Sequence, residues 1–424
     1  MKGTGPYLPL LISLFIQLAL DFYVYRGIRL VNDDLDGPSK TILFWTYWGI
    51  SAGVIFLGIY NAYTIRESFN TGQRVAFHNY SFAILILLLI PKMLYASFLI
   101  IDDLVHFSRW FIGSLYSVPS SDNGISRLKF INQMGLLVAS VPFMAIIYGV
   151  LKGRFDYTVM KTKLKFTNLP KSFDGFKVVQ ISDMHLGSFY DNHGPVQKAI
   201  DKINELEADL VLFTGDMVNN FGFETRGWEP VLSQIRAKYG KFSVLGNHDY
   251  GDYAESTKIL GSIERANNFE EICSFHKKIG FDLLMDENRT ILKDGEYFRV
   301  LGVQNWGAKG GLRKQYGDLF KALEGTDSEE FQILLSHDPS HWEGQIIENS
   351  KIDLTLSGHT HGMQFGIRIP GFEWSLVKYI YPQWAGLYSK GNRHIYVNRG
   401  FGYVGFPGRV GIPPEITLIE LQSA

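Results

Sequence analysis

Five short strings hold side chains whose type and spacing could bind metal. They are Asp183-Met184-His185, Gly215-Asp216, Gly246-Asn247-His248-Asp249, Ser336-His337 and Gly358-His359-Thr360-His361. Their donors are carboxylate, amide oxygen and imidazole with no thiolate, a set suited to Mn, Fe or Zn, and a carboxylate can bridge two such ions. Each string alone has a plainer explanation. Asp-x-His is mostly a surface turn, Gly-Asp after a strand means little, Asn247 could cap a helix, and His337 could be a satisfied loop histidine. What sets them apart is co-occurrence: they take five of the 11 histidines, and each follows a short apolar run.

Those runs must position the donors. "KVVQIS", "DLVLFT", "KFSVLG", "FQILLS" and "KIDLTLS" read as buried strands. "NHGPVQKAIDKINELEA" carries Val196, Ile200, Ile203 and Leu206 at helical spacing, and "WEPVLSQIRAKYG" reads as a helix ending at Gly240. Apolar strands alternating with crossover helices predict an α/β fold with both sheet faces covered. Ligands of such folds gather beyond the carboxyl ends of the strands. All five strings would then converge on one edge, with glycines permitting the tight turns.

The chain of 424 residues is long enough for two or more units. With 41 basic and 42 acidic residues its formal net charge is -1, so no nucleic-acid partner is expected. The single cysteine, Cys273, excludes an intrachain disulfide and a zinc site built on several thiolates. A mean hydropathy near zero averages two unlike parts: a strongly apolar transmembrane region at 1–151, then a basic linker at 152–165 and a catalytic domain at 166–424 of ordinary soluble composition.

Within the apolar part, Tyr7–Tyr25, Thr41–Tyr63, Ser81–Ile101 and Phe130–Leu151 are each close to the roughly 20 residues that cross a hydrocarbon core. They predict a four-helix transmembrane region, the first helix retained rather than cleaved as a signal peptide. Trp45, Trp48 and Trp110 fall near span ends, where amphipathic rings favour the headgroups. Pro91 and Lys92 interrupt the third span; Lys92 is either functional or a snorkelling lysine. Phe107, Trp110, Phe111 and Leu115 are either a helix lying in the interface or a connecting loop. Lys152, Arg154, Lys161, Lys163 and Lys165 follow the last span, against Arg26, Arg29, Lys40, Arg109, Arg127 and Lys129 on the opposite side. That is a slight bias toward a cytoplasmic catalytic half.

The strings "ISDMHLG", "LFTGDMV", "LGNHD", "LLSHDP" and "SGHTHG" together resemble the calcineurin-like metallophosphoesterase superfamily over roughly Lys165 to Leu421. Within it they are most similar to bacterial phosphodiesterases with N-terminal membrane segments, a branch that includes UDP-2,3-diacylglucosamine hydrolases. The resemblance implies a four-layer α/β/β/α sandwich with two divalent ions (Mn, Fe or Zn) at its edge. One ion would be held by Asp183, His185, Asp216 and His361, the other by Asp216, Asn247, His337 and His359, with Asp216 bridging. His248 would stand beside the phosphate as proton donor or charge stabiliser. The family's usual "GHTHGGQ" departs here at Met363, which bears on loop shape only. The implied activity is hydrolysis of a phosphodiester or pyrophosphate by activated water. The expected substrate is a lipid or lipid-linked nucleotide, and the setting a bacterial cytoplasmic membrane. The alternatives are a soluble phosphoester with the helices as anchor, or a non-catalytic metal-binding scaffold or sensor.

Other stretches yield narrower expectations. "NFEEICSFHKKIG" reads as a helix with His276 solvated, and "FDLLM", "TILK" and "YFRVLGV" as strands continuing a second sheet. "GAKGGLRK" is either a flexible basic loop or an anion contact, and neither it nor "VGFPGRVG" fits a phosphate loop. After the last string come Phe365, Phe372, Trp374, Tyr379, Tyr381, Trp384 and Tyr388. They are either the packing of a long excursion or an apolar shelf for an acyl chain or the bilayer, with Trp374 and Trp384 as candidate contacts. Arg399 is a candidate phosphate contact or a structural ion pair.

Overall fold

The structure is a computed structural model that describes residues 7–71, 75–115, 124–253, 262–307 and 315–424. The chain divides into two compact units, Met1–Ser68 with Phe77–Tyr148, and Phe69–Ala76 with Gly149–Ala424.

Helices α1 (Tyr7–Val31), α2 (Gly37–Thr71), α3 (Val75–Leu115) and α4 (Gly124–Leu151) make up the first unit, except that the end of α2, the start of α3 and the last turn of α4 belong to the second. Among the described residues three stretches are long and apolar enough to cross a membrane: Gly37–Ile65, Val75–Gly113 and Lys129–Leu151. Helix α3 runs on for 41 residues through Pro91, a break tolerated where neighbouring helices re-satisfy the freed backbone. Phe107, Trp110 and Phe111 therefore continue this same helix, which corrects the expectation of a separate interfacial helix or a loop. Lys92 does not snorkel. Its ammonium pairs with the fully buried Asp21 of α1, which also accepts from Ser51 of α2. The Tyr95 hydroxyl of α3 donates to Asn132 of α4 at 2.9 Å, and a Cβ on Gly135 would lie 2.9 Å from Tyr95 and Phe98, so α3 and α4 approach closely there.

The second unit contains β1 (Thr158–Phe166), β2 (Phe176–Ile181), α5 (His193–Glu205), β3 (Leu210–Phe213), α6 (Glu229–Leu232), β4 (Lys241–Ser243), α7 (Ser262–Lys278), β5 (Asp282–Leu283), β6 (Glu287–Lys293) and β7 (Glu296–Gly302). After these come β8 (Gln332–Leu335), β9 (Leu354–Ser357), β10 (Ile367–Ile369), β11 (Phe372–Trp374), β12 (Gly386–Lys390), β13 (Arg393–Val397) and β14 (Glu415–Ser423). One six-stranded sheet has the order β1-β14-β2-β3-β4-β5, another β12-β13-β9-β8-β7-β6, and β10-β11 is a separate hairpin. A core of Val178, Leu212, Val300, Ile333, Leu356 and Ile419 draws on both sheets. The other face of the first sheet, at Val179, Ile181, Val211 and Phe213, packs on Val196, Ile200 and Ile203 of α5 and Ile272 and Phe275 of α7. Strands β2, β3 and β4 run parallel, as do β7, β8, β9 and β13, so within each sheet these carboxyl ends share an edge.

Several elements differ from expectation. From Thr158 the supposed linker is an edge strand paired with β14; its lysines 161, 163 and 165 face solvent while Leu164 and Phe166 are buried, a period of two. The helix expected through Gly240 stops at Leu232, because Asn204 takes the Gln234 carbonyl and the Arg236 amide that another turn would have used. Strand β5 joins β4 in the first sheet, and only β6 and β7 extend the second. His276 is fully buried, not solvated; its Nδ1 meets the Ser243 hydroxyl at 2.9 Å, and burial pushes the ring down to about 3. All of "GAKGGLRK" beyond Gly307 lies outside the described residues.

Candidate metal centre

Each string occupies the turn just past a strand, and the two sheets are sewn together there. The Asp183 amide donates to the Gly215 carbonyl at 2.8 Å, joining the ends of β2 and β3. The Gly358 amide donates to the His337 carbonyl at 3.0 Å, joining β8 and β9. Between sheets, His337 Nδ1 lies 2.7 Å from the Thr214 carbonyl, and the His359 amide reaches both Asp183 carboxylate oxygens at 3.1 Å. The turns are conformationally costly. Asp183, His185, Asp216, His359 and His361 all have φ between 49 and 71°, a region that L-residues other than glycine adopt rarely and chiefly where surrounding structure enforces it.

The result is two buried donor groups with one shared member. Donor atoms of Asp183, His185, Asp216 and His361 lie within 4.8 Å of one another, as do those of Asp216, His337 and His359. In the first group His185 Nε2 is 3.0 Å from His361 Nε2 and 3.6 Å from Asp216 Oδ2, while His361 Nε2 is 3.2 Å from Asp183 Oδ1. In the second, His337 Nε2 is 3.2 Å from Asp216 Oδ2, 3.2 Å from His359 Nδ1 and 3.1 Å from Asn247 Oδ1. All seven residues predicted as ligands are thus brought to these two adjoining groups.

The donor set fits cations. His337 gives its Nδ1 proton to the Thr214 carbonyl, and His185 Nδ1 faces the Asn219 side-chain oxygen at 3.1 Å. When neutral, each ring turns the lone pair of Nε2 toward a carboxylate, acceptor toward acceptor, in a buried site. Such an arrangement is unfavourable unless a positive charge lies between. The ionisation equilibria carry the same imprint. Burial opposes charge on both carboxyls, yet His361 and His337 hold Asp183, and His337 and His248 hold Asp216, below the usual carboxylate range. Burial also opposes charge on His337, but the Asp216 carboxylate outweighs it and pushes the ring up to about 10. A proton does there what a divalent ion could do.

His248 is placed differently. Its amide donates to Asp216 Oδ1 at 2.9 Å and its Nδ1 meets the Asn219 carbonyl at 2.6 Å. Its ring stacks on Tyr253 with centroids 4.5 Å apart. Three further candidates lie elsewhere. Arg399 is held by Glu373, at 2.6 and 2.8 Å, and by Glu415, and its side chain is only 3% exposed, so its contacts are those of a structural ion pair. Trp384 is buried with Val377 and Ile412, its carbonyl accepting from Thr360 at 2.6 Å. Trp374 is half-buried on β11.

Four residues take supporting roles that the sequence analysis did not assign. Asp249 accepts from the amides of Asp216, Met217, Val218 and Gly246 and so clamps two ligand turns; its place in "LGNHD" was the available signal. Asn219, three residues past Asp216, orients both His185 and His248. Tyr381 brings its hydroxyl to 2.9 Å from His359 Nε2. Arg409, fully buried in the string "VGFPGRVG", donates to the carbonyls of Gly400 and Gly402 and lies 3.3 Å from His361 Nδ1. No local pattern marks the contacts of the last two with His359 and His361.

Comparison with known proteins agrees with this geometry. Residues 176–363 match the profile of the calcineurin-like phosphoesterases, and residues 8–154 that of a probable calcineurin-like phosphoesterase transmembrane domain. The metallophosphoesterase YkuE of Bacillus subtilis is 31% identical over 307 residues, covering 70% of this chain and 98% of its own. A transmembrane protein with metallophosphoesterase domain from Danio rerio is 28% identical over 292 residues, covering 68% of this chain and 63% of its own. The UDP-2,3-diacylglucosamine pyrophosphatase LpxG of Chlamydia trachomatis is 30% identical over 304 residues, covering 60% of this chain and 86% of its own. With an apolar helical region before two mixed α/β sheets and a buried Asp/His cluster suited to metal, the chain belongs to the calcineurin-like metallophosphoesterases and is a metal-dependent phosphoric ester hydrolase.

Proposed function

We propose that this hydrolase cleaves a phosphodiester or pyrophosphate bond of a lipid or lipid-linked nucleotide at a centre of two divalent ions. The observation that carries the two-ion reading is the membership of Asp216 in both donor groups. Asp183, His185, Asp216 and His361 would hold one ion, and Asp216, Asn247, His337 and His359 the other, with Mn, Fe and Zn all compatible with the donors. When bound, such a pair supplies an activated water and neutralises charge on the phosphoryl oxygens.

The chain's own residues do the rest. The Asn219 carbonyl fixes the His248 ring through Nδ1, and Nε2 would then donate a proton to the departing oxygen or stabilise charge on the phosphoryl group. Asp249 holds the Asp216 and Gly246 turns together through four amides, keeping the shared carboxylate in place. The seven ligands are buried or half-buried, which excludes bulk water and strengthens each electrostatic contact.

The lipid assignment rests on membrane attachment and on the relative named a UDP-2,3-diacylglucosamine pyrophosphatase. In this reading α1 crosses the membrane together with α2, α3 and α4, the region 1–151 anchors the chain, and 166–424 is the catalytic domain, a four-layer sandwich facing the cytoplasm of a bacterium. The test is a panel on the full chain in detergent with Mn, Fe or Zn. Phosphomonoesters, soluble phosphodiesters, UDP-diacylglucosamine and polyprenyl pyrophosphates are each offered. Selective cleavage of one lipid-linked ester supports the proposal; equal or better cleavage of soluble esters makes the helices a mere anchor. Metal binding with no cleavage of any ester would leave a scaffold.

A further inference from the structure

The excursion that follows His361 is built inside out. In the hairpin β10-β11, Ile367 pairs with Trp374 and Ile369 with Phe372 on one face, while Arg368 pairs with Glu373 on the other. Glu373 turns inward to Arg399 in a bidentate contact at 2.6 and 2.8 Å. The apolar face turns outward: Ile369 is 57% and Phe372 51% exposed. A water-facing hairpin shows the opposite order, with apolar side chains in and charges out. The next turn continues the pattern, with Leu376, Tyr379 and Ile380 all exposed and Val377 buried beneath them.

Met363 adds a second, independent sign. It sits at φ 55°, a conformation unfavourable for a residue with a Cβ, and its side chain is exposed rather than packed. Its amide donates to the Thr360 carbonyl at 2.8 Å, which holds the turn while the side chain points away from the core. The patch is also tied to the centre, since Ser375 Oγ donates to the Gly362 carbonyl at 2.9 Å and Tyr381 reaches His359.

The base of the excursion is hydrogen-bonded, within its own unit, to the last turn of a helix apolar enough to cross a membrane. Phe365 bridges to Val410, and the Gly366 amide donates to the Val410 carbonyl at 2.9 Å. The neighbouring Arg409 amide donates at 3.1 Å to the carbonyl of Gly149, in the last turn of α4 and within the same compact unit. The stretch Lys129–Leu151 is apolar and long enough to cross a membrane. An open groove of about 680 Å³ runs between Arg368, Ile369 and Phe372 on one side and Gly411 and Pro413 on the other.

We propose that Met363, the apolar face of β10-β11 and the turn Leu376–Ile380 enter the interfacial layer of the bilayer that carries the helices. The metal centre would then take its phosphoester from the membrane surface, a consequence that rests on the lipid reading above. Apolar side chains flanked by Trp and Tyr suit that layer. Exposed patches of this kind otherwise mark a protein partner or an aggregation site.

The test measures depth, not activity, so it is separable from the substrate question. The full chain, with Cys273→Ser, is placed in discs of phosphatidylethanolamine and phosphatidylglycerol, with one spin label replacing Ile369, Phe372 or Ile380. Labels at Leu292 and Phe320, exposed apolar positions elsewhere in the unit, serve as controls. Metal-dependent hydrolysis of bis(p-nitrophenyl) phosphate checks that each labelled chain is folded. The expected result is higher accessibility to oxygen than to a water-soluble nickel complex at the three sites, and the reverse at the controls. Aqueous accessibility at all three overturns the proposal, and so does shielding from both reagents, which would indicate a protein partner or second copy. If the labels are immersed but no lipid-linked ester is cleaved, the surface stands and the lipid substrate falls.

Discussion

The Arg409 guanidinium and the His361 ring are neighbours, with Nη2 3.3 Å from Nδ1. Arg409 also donates to the His361, Gly400 and Gly402 carbonyls, so the ligand loop and the turn after β13 share one buried cation. It touches no reacting atom and acts by positioning. Arg409→Met keeps much of the volume and removes every donor. We expect metal affinity to fall about 10- to 100-fold, read by metal titration, with partial recovery in Arg409→Lys. Unchanged affinity in Arg409→Met would reduce the residue to a core-filling role.

His248 is held by the Asn219 carbonyl and is a member of neither donor group. His248→Ala should retain the full complement of metal while losing roughly 10²- to 10⁴-fold in kcat. Loss of metal in this variant would instead make His248 a ligand or a structural support.

The left-handed backbone at Met363 makes an unusual pair of effects testable. Met363→Gly should raise stability by up to about 1 kcal/mol by relieving the conformation. It should also raise KM for a bilayer-embedded substrate and leave a soluble ester unaffected. Comparing thermal midpoints with KM for the two substrates separates the effects, and a destabilised variant would count against the strain account.

His276 links stability to acidity. Its folded value lies near 3 because the ring is buried, against about 6.5 in an unfolded chain. Between these values the unfolded state binds a proton that the folded state does not, so stability falls as pH drops below about 6.5. From pH 6.5 to 5.0 the loss amounts to about 1.5 kcal/mol. His276→Gln lacks this titration, and its unfolding midpoint should move correspondingly less over that range. Identical pH dependence in both proteins would contradict the burial.

The strings around the metal centre were legible because each one ends an apolar run, and parallel strands carry their carboxyl ends to a common edge. The helix α5 was legible from Val196, Ile200 and Ile203, which the structure buries. What escaped depends on contacts distant in sequence. His276 looked solvated on its own helix, yet packs against Ser243 of a strand 33 positions away. Arg409 acts on a ligand 48 positions before it. The outward polarity of β10-β11 was invisible until Glu373 was seen to turn inward to Arg399, because alternation alone does not say which face is covered. The edge strand β1 was masked by its lysines, whose regular spacing in "TVMKTKLKF" fits a strand as well as a linker.

The central claim is that one carboxylate serves two ions, and elemental analysis of Asp216→Ala beside the unaltered chain tests it most directly. The account predicts close to two metal ions per unaltered chain. In the variant it predicts loss of metal from both groups and of nearly all activity. A variant that keeps both ions and cleaves phosphoesters at the original rate would contradict it.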